Sequence, residues 1–500
     1  MGRTPLWRFL RRAYRLARRE AGISRRRTLQ LGLFAGGFLA TSALHSCSQP
    51  PWVRRDDPIL IVGAGIAGLT AAYRLWQKQV PIKILEASDR VGGRIFSLNN
   101  ALSTTQTAEL GGEFINSDHQ NIRTLVEEME LELVDLYKAD EKVEDEIWFF
   151  NGKKITFADV AQAFMPLAQQ VVKDRAAIGG YSYQHSNPIA QKLDRLSIAD
   201  YLKQYTRNPV LEELLSVAYT IEYGREVEEQ SSFNLIVLLG DDEESAILGE
   251  SDERYTIRGG NQQLPQRLAE KLSNFIELNS YVESIRRSPD GRYQVSWRRD
   301  NASKQSSFSR VVLAIPFTVL RTIDLRVNLP PLKLRAIREL GYGYNAKLIT
   351  SYRERLWRTK YQSNGKVYTD LRWQHTWETG KYAPTTTGLI TNYMGGNRCL
   401  QLSTNPSQEA QAFLQSFATV FPGIDQVYHQ SLLINWYKLP LARASYSGYL
   451  VGQTTLFGGI EGEPFQNLFF AGEHCSPDYQ GYMEGACASG NRVAELIPTS

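Results

Sequence analysis

The chain has 500 residues, of which 42% are hydrophobic and 11% aromatic, and it shows no low-complexity tract and no internal repeat. Its net charge is +4, but the first 47 residues hold ten Arg and one Glu, which leaves 47 basic and 52 acidic residues and a net charge of −5. A mildly acidic globular protein without a basic stripe is not expected to bind nucleic acid, and it weakly favours cationic ligands. The roughly 450 remaining residues are too many for one core, so we expect two domains.

The cysteines and histidines do not follow the spacing of a metal site. The four cysteines lie far apart and form no Cys-x-x-Cys pair, and the six histidines are scattered. We therefore expect neither a metal site nor a disulfide framework.

Residues 1–47 indicate an export signal that precedes the fold. Arginines at positions 25–27 stand before an apolar stretch that runs to about Leu44 and is short for a membrane span. A basic region, a twin-arginine pair and a modest apolar core predict export by the Tat machinery and a periplasmic or cell-envelope location. Lipidation of Cys47 is left open, as is a basic helix that associates peripherally with a membrane.

The segment from Pro58 to Arg94 has the pattern of a strand–helix–strand unit. Its sequence is PILIVGAGIAGLTAAYRLWQKQVPIKILEASDRVGGR. Apolar runs at 59–62 and 82–85 predict two buried parallel strands, and the spacing of apolar residues over 66–79 predicts a helix. Such a unit is typical of a Rossmann-like dinucleotide-binding domain.

The turn between the first strand and the helix supports this interpretation. Gly63 suits the tight turn, Gly65 lets the backbone approach a pyrophosphate, and Gly68 allows close packing of the helix on the strand. The helix N-terminus supplies amide donors and positive potential for phosphates. Glu86 follows the second strand, where an acid binds ribose hydroxyls. A further glycine pair lies within residues 90–94.

Later segments predict a hairpin and a C-terminal return to the first domain. Residues 281–285 and 293–297 alternate on either side of Asp290-Gly291, which is a hairpin signal. Residues 468–471 predict a strand, and residues 483–497 predict a helix. This helix begins beside glycines, so its N-terminus could bind an anion or a carbonyl group.

Together these motifs resemble the flavin amine oxidases, and most closely the monoamine oxidases. The similar segments span residues 58–497 and are GAGIAGL with EASDRVGGR, ELGGEFI, YTIRGGNQQL, VVLAIP, YNAK, the segment from Trp436 to Tyr446, FFAGEH and GYMEGA. The resemblance implies an α/β protein of two domains that binds FAD in a Rossmann-like domain of the glutathione-reductase type.

The resemblance also implies how the chain is divided. Residues 56–126, 254–327 and 439–500 would form a discontinuous FAD-binding domain. Residues 127–253 and 328–438 would form an inserted substrate domain of mixed sheet and helices that lies over the flavin.

By the same resemblance, the FAD contacts fall on known motif positions. Those for the phosphates and ribose are Gly63, Gly65, Gly68, Glu86, Gly93 and Arg94. Arg94 would be the charge partner of the pyrophosphate. The Val282 backbone would contact the adenine, Glu473 the ribityl chain, and the Met483 amide the pyrimidine carbonyl.

The catalytic residues that the resemblance implies are Lys347, Tyr446, Tyr482 and Trp436. In the family the lysine holds a water against flavin N5 and helps to handle oxygen. Two facing tyrosines, here Tyr446 and Tyr482, exclude water around the amine nitrogen and can interact with its cationic form.

Ser445 departs from the pattern of the covalent monoamine oxidases. Those enzymes place a flavin-linking cysteine immediately before the tyrosine that corresponds to Tyr446. Because a serine cannot form the thioether, we expect FAD to be bound noncovalently.

These features predict oxidative deamination of a primary amine or an L-amino acid to an imine, which gives a carbonyl compound and ammonia. Related L-amino-acid oxidases carry a carboxylate-binding arginine near 109–115, where this chain has Glu113, although Arg225 or Arg254 could substitute. Glu113 and the acidic run 240–244 could receive a second cationic group. We therefore favour a cationic substrate, either a basic amino acid such as arginine or lysine or a polyamine, with O2 or a quinone as acceptor.

Two alternatives stay open at this point. A relative of carotenoid desaturase or protoporphyrinogen oxidase would share the first motif and the C-terminal return, but it should lack the four catalytic residues. A non-catalytic flavoprotein would bind FAD without being reduced by any amine. A homodimer is also compatible with the sequence.

Overall fold

The computed structural model describes residues 57–140, 143, 146–239, 252–300 and 302–498. The predicted export signal, Cys47 and the acidic run 240–244 lie outside the described residues. Among the described residues, no helix is long and apolar enough to cross a membrane.

The strands are numbered in chain order. They are β1 (Ile59–Val62), β2 (Ile82–Leu85), β3 (Ser97–Leu98), β4 (Ala108–Glu109), β5 (Leu133–Asp135), β6 (Ile147–Phe150), β7 (Lys153–Ile155), β8 (Tyr255–Ile257), β9 (Ile276–Glu277), β10 (Tyr281–Arg287), β11 (Tyr293–Arg299), β12 (Ala302–Phe308), β13 (Val311–Leu313), β14 (Asp324–Arg326), β15 (Asn345–Tyr352), β16 (Val367–Thr369), β17 (His375–Thr379), β18 (Gly388–Gly395), β19 (Tyr428–Asn435) and β20 (Leu468–Phe470).

The α-helices are numbered in the same way. They are α1 (Ile66–Gln77), α2 (Gln120–Glu128), α3 (Phe157–Ile178), α4 (Pro188–Asp194), α5 (Ile198–Tyr205), α6 (Pro209–Tyr223), α7 (Ser232–Leu239), α8 (Gln263–Lys271), α9 (Phe317–Leu320), α10 (Pro331–Glu339), α11 (Leu356–Thr359), α12 (Asn397–Leu400), α13 (Pro406–Phe417), α14 (Gln453–Phe457) and α15 (Met483–Leu496).

A parallel sheet has the strand order β20-β13-β1-β2-β9. Val62 pairs with Leu85 on one side and with Leu313 on the other. The strands come from three distant parts of the chain, residues 59–85, 276–313 and 468–470. Each parallel neighbour is reached by a crossover connection. The three strands β1, β13 and β20 are buried on both faces, as expected for a parallel sheet covered by helices, whereas β9 at the edge is half-buried.

The predicted elements of this sheet are confirmed within two residues. The strands at 59–62 and 82–85 have the predicted bounds, and α1 ends at Gln77, two residues early. Gln79 takes a left-handed conformation with φ of 60°, which turns the chain toward β2. The C-terminal strand and helix each end one residue before their predicted ends.

A second sheet of order β12-β11-β10-β14 contains the predicted hairpin. β10 and β11 pair antiparallel, and the turn between them contains Asp290 and Gly291. Val282 is buried at the beginning of β10, beside the carboxyl end of the parallel sheet.

The third sheet has the order β19-β15-β18-β17-β16-β6-β7 and is mixed. Lys347 of β15 pairs with Tyr393 of β18, Tyr393 pairs with His375 of β17, and His375 pairs with Tyr368 of β16. Directly opposed residues project from the same face of a sheet. The register therefore places these four side chains in one row.

A helical layer packs beside this sheet. Helices α3 to α7 share one hydrophobic core, which includes Phe164, Tyr201 and Tyr219 and extends to Tyr368 of β16. Helix α6 ends at Tyr223, so that Ile221 and Glu222, in its last turn, reach the row of side chains on the sheet.

Candidate active site

A cavity of about 590 Å³ runs between the parallel sheet and the mixed sheet. We define its dinucleotide half as the part lined by residues 62–95, 280–282 and 314–323. We define its substrate half as the part lined by residues 113–116, 221–222, 253 and 446 and by strands β15 to β18.

The structure brings together in this cavity every predicted site residue except one. Those that line it are Gly63, Gly65, Glu86, Gly93, Arg94, Glu113, Val282, Lys347, Trp436, Tyr446, Glu473, Tyr482 and Met483. Gly68 lies behind the lining, where helix α1 packs on the turn.

The glycine-rich turn leaves room for a ligand at one position and for nothing larger than hydrogen at two others. Gly63 has a φ of 103°, and a Cβ there would lie 2.7 Å from the carbonyl oxygen of Ala314. A Cβ on Gly68 would lie 2.0 Å from the Gly63 carbonyl oxygen. A Cβ on Gly65 would meet no heavy atom within 4 Å, so the backbone there faces open space in the cavity.

Two helix N-termini point their first turns at the cavity. Helix α1 begins after Gly65 and helix α15 begins after Tyr482, and neither has a side-chain cap. The first amides of a helix need acceptors and carry positive potential, so both ends suit anionic or carbonyl groups of a ligand.

Glu86 is held at the end of β2 by backbone amides. The Ala64 N–H donates to its Oε2 at 2.6 Å, and the Ser88 N–H donates to its Oε1 at 2.9 Å. Burial raises the pKa of this carboxyl above its usual value, although these two bonds oppose the shift.

Arg94 and Glu473 form an ion pair in the centre of the cavity. Arg94 Nη1 lies 2.8 Å from Glu473 Oε1 and donates to the Ser445 carbonyl oxygen at 2.7 Å. The other Glu473 oxygen accepts from the Ser447 hydroxyl and the Gly481 N–H. Burial opposes ionisation, but Arg94 and Ser447 hold the pKa of Glu473 below its usual value.

Lys347 and Glu113 are paired with each other in the substrate half. Lys347 Nζ lies 2.8 Å from Glu113 Oε2, and both side chains are almost fully buried. Glu113 Oε1 accepts from the Trp377 indole N–H at 3.0 Å. This arrangement does not support the expectation that Glu113 receives a second cationic group of the substrate, because both of its oxygens are engaged within the protein.

Tyr446 belongs to a chain of hydrogen bonds whose direction is fixed, because a hydroxyl has only one proton to donate. Its hydroxyl donates to the Glu222 carbonyl oxygen at 2.6 Å, so the Tyr393 hydroxyl, 3.0 Å away, donates to Tyr446. Burial, followed by the neighbouring Tyr393 and Glu222, raises the pKa of Tyr446 well above its usual value. The phenols therefore stay protonated and offer oxygen lone pairs to the cavity.

The other predicted aromatic residues, Trp436 and Tyr482, also line the cavity. The Trp436 indole N–H donates to the Leu110 carbonyl oxygen at 2.9 Å. Tyr482 contacts the ring of His119 edge to face, at a centroid distance of 5.3 Å. Ser445 stands immediately before Tyr446, and its hydroxyl donates to Asn345 Oδ1 at 2.6 Å.

His375 is a neutral acceptor between Tyr393 and Tyr368 in the row of side chains on the sheet. Its Nδ1 lies 2.8 Å from the Val367 carbonyl oxygen, which can only accept, so Nδ1 carries the proton and Nε2 keeps a lone pair. Burial lowers the pKa of His375 to about 3, and its ring stacks on Tyr368 at a centroid distance of 4.0 Å.

Sequence reasoning missed five side chains of the substrate half, namely Glu222, Glu253, His375, Trp377 and Tyr393. All of them line the cavity. The alternation of His375, Trp377 and Thr379 along β17 was the available signal, since alternate residues share a sheet face. Which face lies toward the cavity depends on pairing with β18, and the sequence does not state that pairing.

Comparison with known proteins decides the family. The family model described as flavin containing amine oxidoreductase matches residues 66–498. The chain belongs to this family. The flavin amine oxidoreductases are oxidoreductases that act on amines and contain FAD, so FAD is the cofactor of this chain.

The relatives cover nearly the whole described chain. An L-amino acid dehydrogenase of Synechocystis sp. is 24% identical over 456 residues, which are 88% of this chain and 94% of that protein. The human flavin-containing amine oxidase B is 23% identical over 88% of this chain and 85% of its own length.

Solved structures show the same fold. A putrescine oxidase bound to putrescine has a TM-score of 0.76 at 19% identity and covers 88% of this chain and 98% of its own. Cyclohexylamine oxidase from Brevibacterium oxydans has a TM-score of 0.76 at 20% identity, with the same coverage.

The flavin amine oxidoreductase cavity fits its cofactor on the structural observations alone. The open space beside Gly65 and the two uncapped helix N-termini suit a pyrophosphate and a polar ring edge. Glu86 stands at the end of β2, where ribose hydroxyls would lie. The positions of the individual FAD atoms remain predictions.

Proposed function

We propose that this flavin amine oxidoreductase oxidises the C–N bond of a primary amine that carries a second positive charge. The substrate would be a polyamine-like diamine or a basic L-amino acid such as arginine or lysine. The single observation that carries this proposal is the set of carboxyl groups and hydrogen-bond acceptors that line the substrate half.

The carboxylates that line the substrate half are those of Glu113, Glu222 and Glu253, whereas its lysine is Lys347, which is paired with Glu113. Glu253 pairs with Lys366 at 3.0 Å, and although burial opposes ionisation, Lys366 lowers the pKa of Glu253 to about 2. Glu253 is therefore charged at neutral pH. Each of these two glutamate–lysine pairs is neutral, so the attraction of the substrate half for a cation rests on Glu222 and on the uncharged acceptors and aromatic rings around it.

The neutral groups of the same half also suit an amine. The oxygens of Tyr393 and Tyr446 and Nε2 of His375 present lone pairs, so they can accept from the N–H groups of a substrate. Trp377 and Tyr393, whose rings are 5.3 Å apart, add aromatic faces that attract cations and exclude water.

The arginines of the chain support a substrate without a carboxylate. Among the described lining residues the arginines are Arg90 and Arg94, and both lie in the dinucleotide half. Arg225 pairs with Glu229 at 2.9 Å, and Arg254 pairs with Asp135 at 2.8 Å. Among the described residues, the substrate half therefore offers no lining arginine to bind the carboxylate of a basic amino acid.

When bound, FAD accepts the hydride equivalent from the carbon next to the amine nitrogen. The chain's own residues would hold that carbon in place, with Tyr446 and Tyr482 beside the nitrogen. The imine would hydrolyse to a carbonyl compound and ammonia. We also propose O2 or a quinone as acceptor and, from the sequence of residues 1–47, Tat export to the periplasm or cell envelope.

Anaerobic reduction of the bound flavin by matched pairs of amines tests the proposal. Putrescine and butylamine differ by the second amine, whereas agmatine and L-arginine, like cadaverine and L-lysine, differ by the carboxylate. We expect loss of flavin absorbance with putrescine, agmatine or cadaverine, and slower loss with butylamine.

The outcomes separate the alternatives. Faster reduction by L-arginine than by agmatine would identify a carboxylate site and favour the amino-acid substrate. Equal rates with putrescine and butylamine would contradict the requirement for a second charge. No reduction by any of these amines would contradict the whole proposal.

Noncovalent binding of FAD is a further part of the proposal, because Ser445 offers a hydroxyl where a thioether needs a thiol. Denaturation in acid should release all of the flavin into the supernatant. Flavin that stays with the precipitated chain would contradict this.

A further inference from the structure

The ammonium group of Lys347 has all three of its N–H bonds engaged within the protein. Its Nζ donates to the Glu109 carbonyl oxygen at 2.8 Å, to the Gly111 carbonyl oxygen at 2.9 Å and to Glu113 Oε2 at 2.8 Å. An ammonium has three donors and no acceptor, and each of the three donors has an acceptor in segment 109–113. Lys347 itself is 5% exposed.

The three acceptors come from alternate residues of one segment, 109–113. This segment wraps around the ammonium and is packed against the predicted FAD site. A Cβ on Gly111 would lie 1.9 Å from the Arg94 carbonyl oxygen, and a Cβ on Gly112 would lie 2.8 Å from Met483 Sδ. The cation and its acceptors are thus fixed relative to the residues around the cofactor.

Glu113 is as firmly held as Lys347. Its Oε1 accepts from the Trp377 indole at 3.0 Å and lies 3.4 Å from the Thr379 hydroxyl, while Oε2 faces the lysine. The ammonium lies 5.4 Å from the centroid of the Trp377 ring. The carboxylate and the ammonium therefore form one neutral, buried unit with the indole.

We propose that Glu113 is a positioning residue that holds Lys347 as a fully bonded ammonium and offsets its charge, so that Lys347 acts on the bound flavin through a damped electrostatic field. The proposal requires bound FAD but does not depend on which amine is the substrate.

The midpoint reduction potential of the bound flavin measures this field without any substrate. Reduction adds negative charge to the flavin, so a nearby positive charge raises the potential. Glu113→Gln keeps an oxygen for Lys347 and removes the negative charge. We expect a tenfold increase in the equilibrium constant for two-electron reduction, which corresponds to about 30 mV.

The double variant Lys347→Met/Glu113→Gln gives the sharper result. It replaces a neutral pair with a neutral pair and leaves no unpaired buried charge, so it should fold even if Glu113→Gln alone does not retain FAD. We expect its potential to stay within about threefold of the wild-type equilibrium constant. Lys347→Met alone leaves Glu113 unpaired and should lower the constant about tenfold.

Glu109→Gln is the matched control, since Glu109 is a buried carboxyl of the same segment. Burial raises the pKa of its side chain to about 8, so it is mostly protonated at pH 7 and the substitution changes little charge. An unchanged or lowered potential in Glu113→Gln would overturn the proposal. So would a double variant as low as Lys347→Met, or a control that shifts as much as Glu113→Gln.

Discussion

The dinucleotide half of the cavity is built largely from one continuous run of the chain, whereas the substrate half is assembled from side chains far apart in sequence. Residues 62–95 supply most of the first half, and four glycines are among them. The second half combines a helix end, a loop and four strands, and it joins Lys347 to Glu113 across 234 residues. A cofactor site can thus be formed by residues close together in the chain, whereas a substrate site can depend on how distant strands pair.

The largest expected effect lies in the local half. Gly65 has a φ of −69° and a ψ of 172°, which valine also adopts, and a Cβ there meets open space. Gly65→Val should therefore fold but occupy the place of the pyrophosphate, weakening FAD affinity at least about 100-fold. Titration of the apoprotein with FAD measures this.

Gly68→Ala is the informative contrast to that variant. Its Cβ would lie 2.0 Å from a backbone oxygen, so we expect a lower melting temperature of the apoprotein as well as a loss of FAD. If Gly65→Val lowered the melting temperature as much as Gly68→Ala, the open space beside Gly65 would not be the reason for the loss.

The second effect tests the cation of the substrate half. Lys347→Met removes a buried positive charge near the flavin and should slow reoxidation of the reduced enzyme by O2 about 50-fold. Stopped-flow mixing of the reduced protein with O2 and, in parallel, with a soluble quinone measures it. An unchanged rate with both acceptors would remove Lys347 from this role.

A third variant addresses the charge of the substrate half. Glu222→Gln should lower the ratio of kcat/KM for putrescine to that for butylamine about tenfold, because one charge-assisted contact is weakened. Glu229→Gln serves as its control, since Glu229 pairs with Arg225 away from the cavity. A ratio that changes equally in both variants would contradict a specific role of Glu222.

The smallest effect concerns stability against pH. Burial raises the pKa of Glu109 to about 8 in the folded chain, far above the value of an exposed glutamate. The protonated Glu109 stabilises the fold at acidic pH. The free energy of unfolding therefore falls as the pH rises toward 8, by at most about 1.4 kcal/mol per pH unit.

Glu109→Gln removes this titration, so thermal unfolding at pH 6 and pH 8.5 provides the test. The melting temperature of the wild type should fall relative to that of the variant as the pH rises. A constant difference between the two proteins would show that Glu109 does not titrate in this range.

Much of the fold could be predicted because its signals are local. The strands β1 and β2, the helix α1, the hairpin and the C-terminal helix follow from runs of apolar residues and from turn residues. The motifs also identified the family and FAD, and the cavity contains almost all of the residues that they indicated. The sequence did not show that Glu113 pairs with Lys347, since an acid beside a cavity has the same sequence whether it is free or paired.

The sequence by itself determined the cofactor-binding unit, because a tight turn, a close helix–strand contact and an acid at a strand end all depend on neighbouring residues. Only the tertiary structure decided the chemistry of the substrate half. The pairing of β15, β18, β17 and β16 sets Lys347, Tyr393, His375 and Tyr368 side by side. A shift of one residue in that register would turn these side chains to the other face of the sheet.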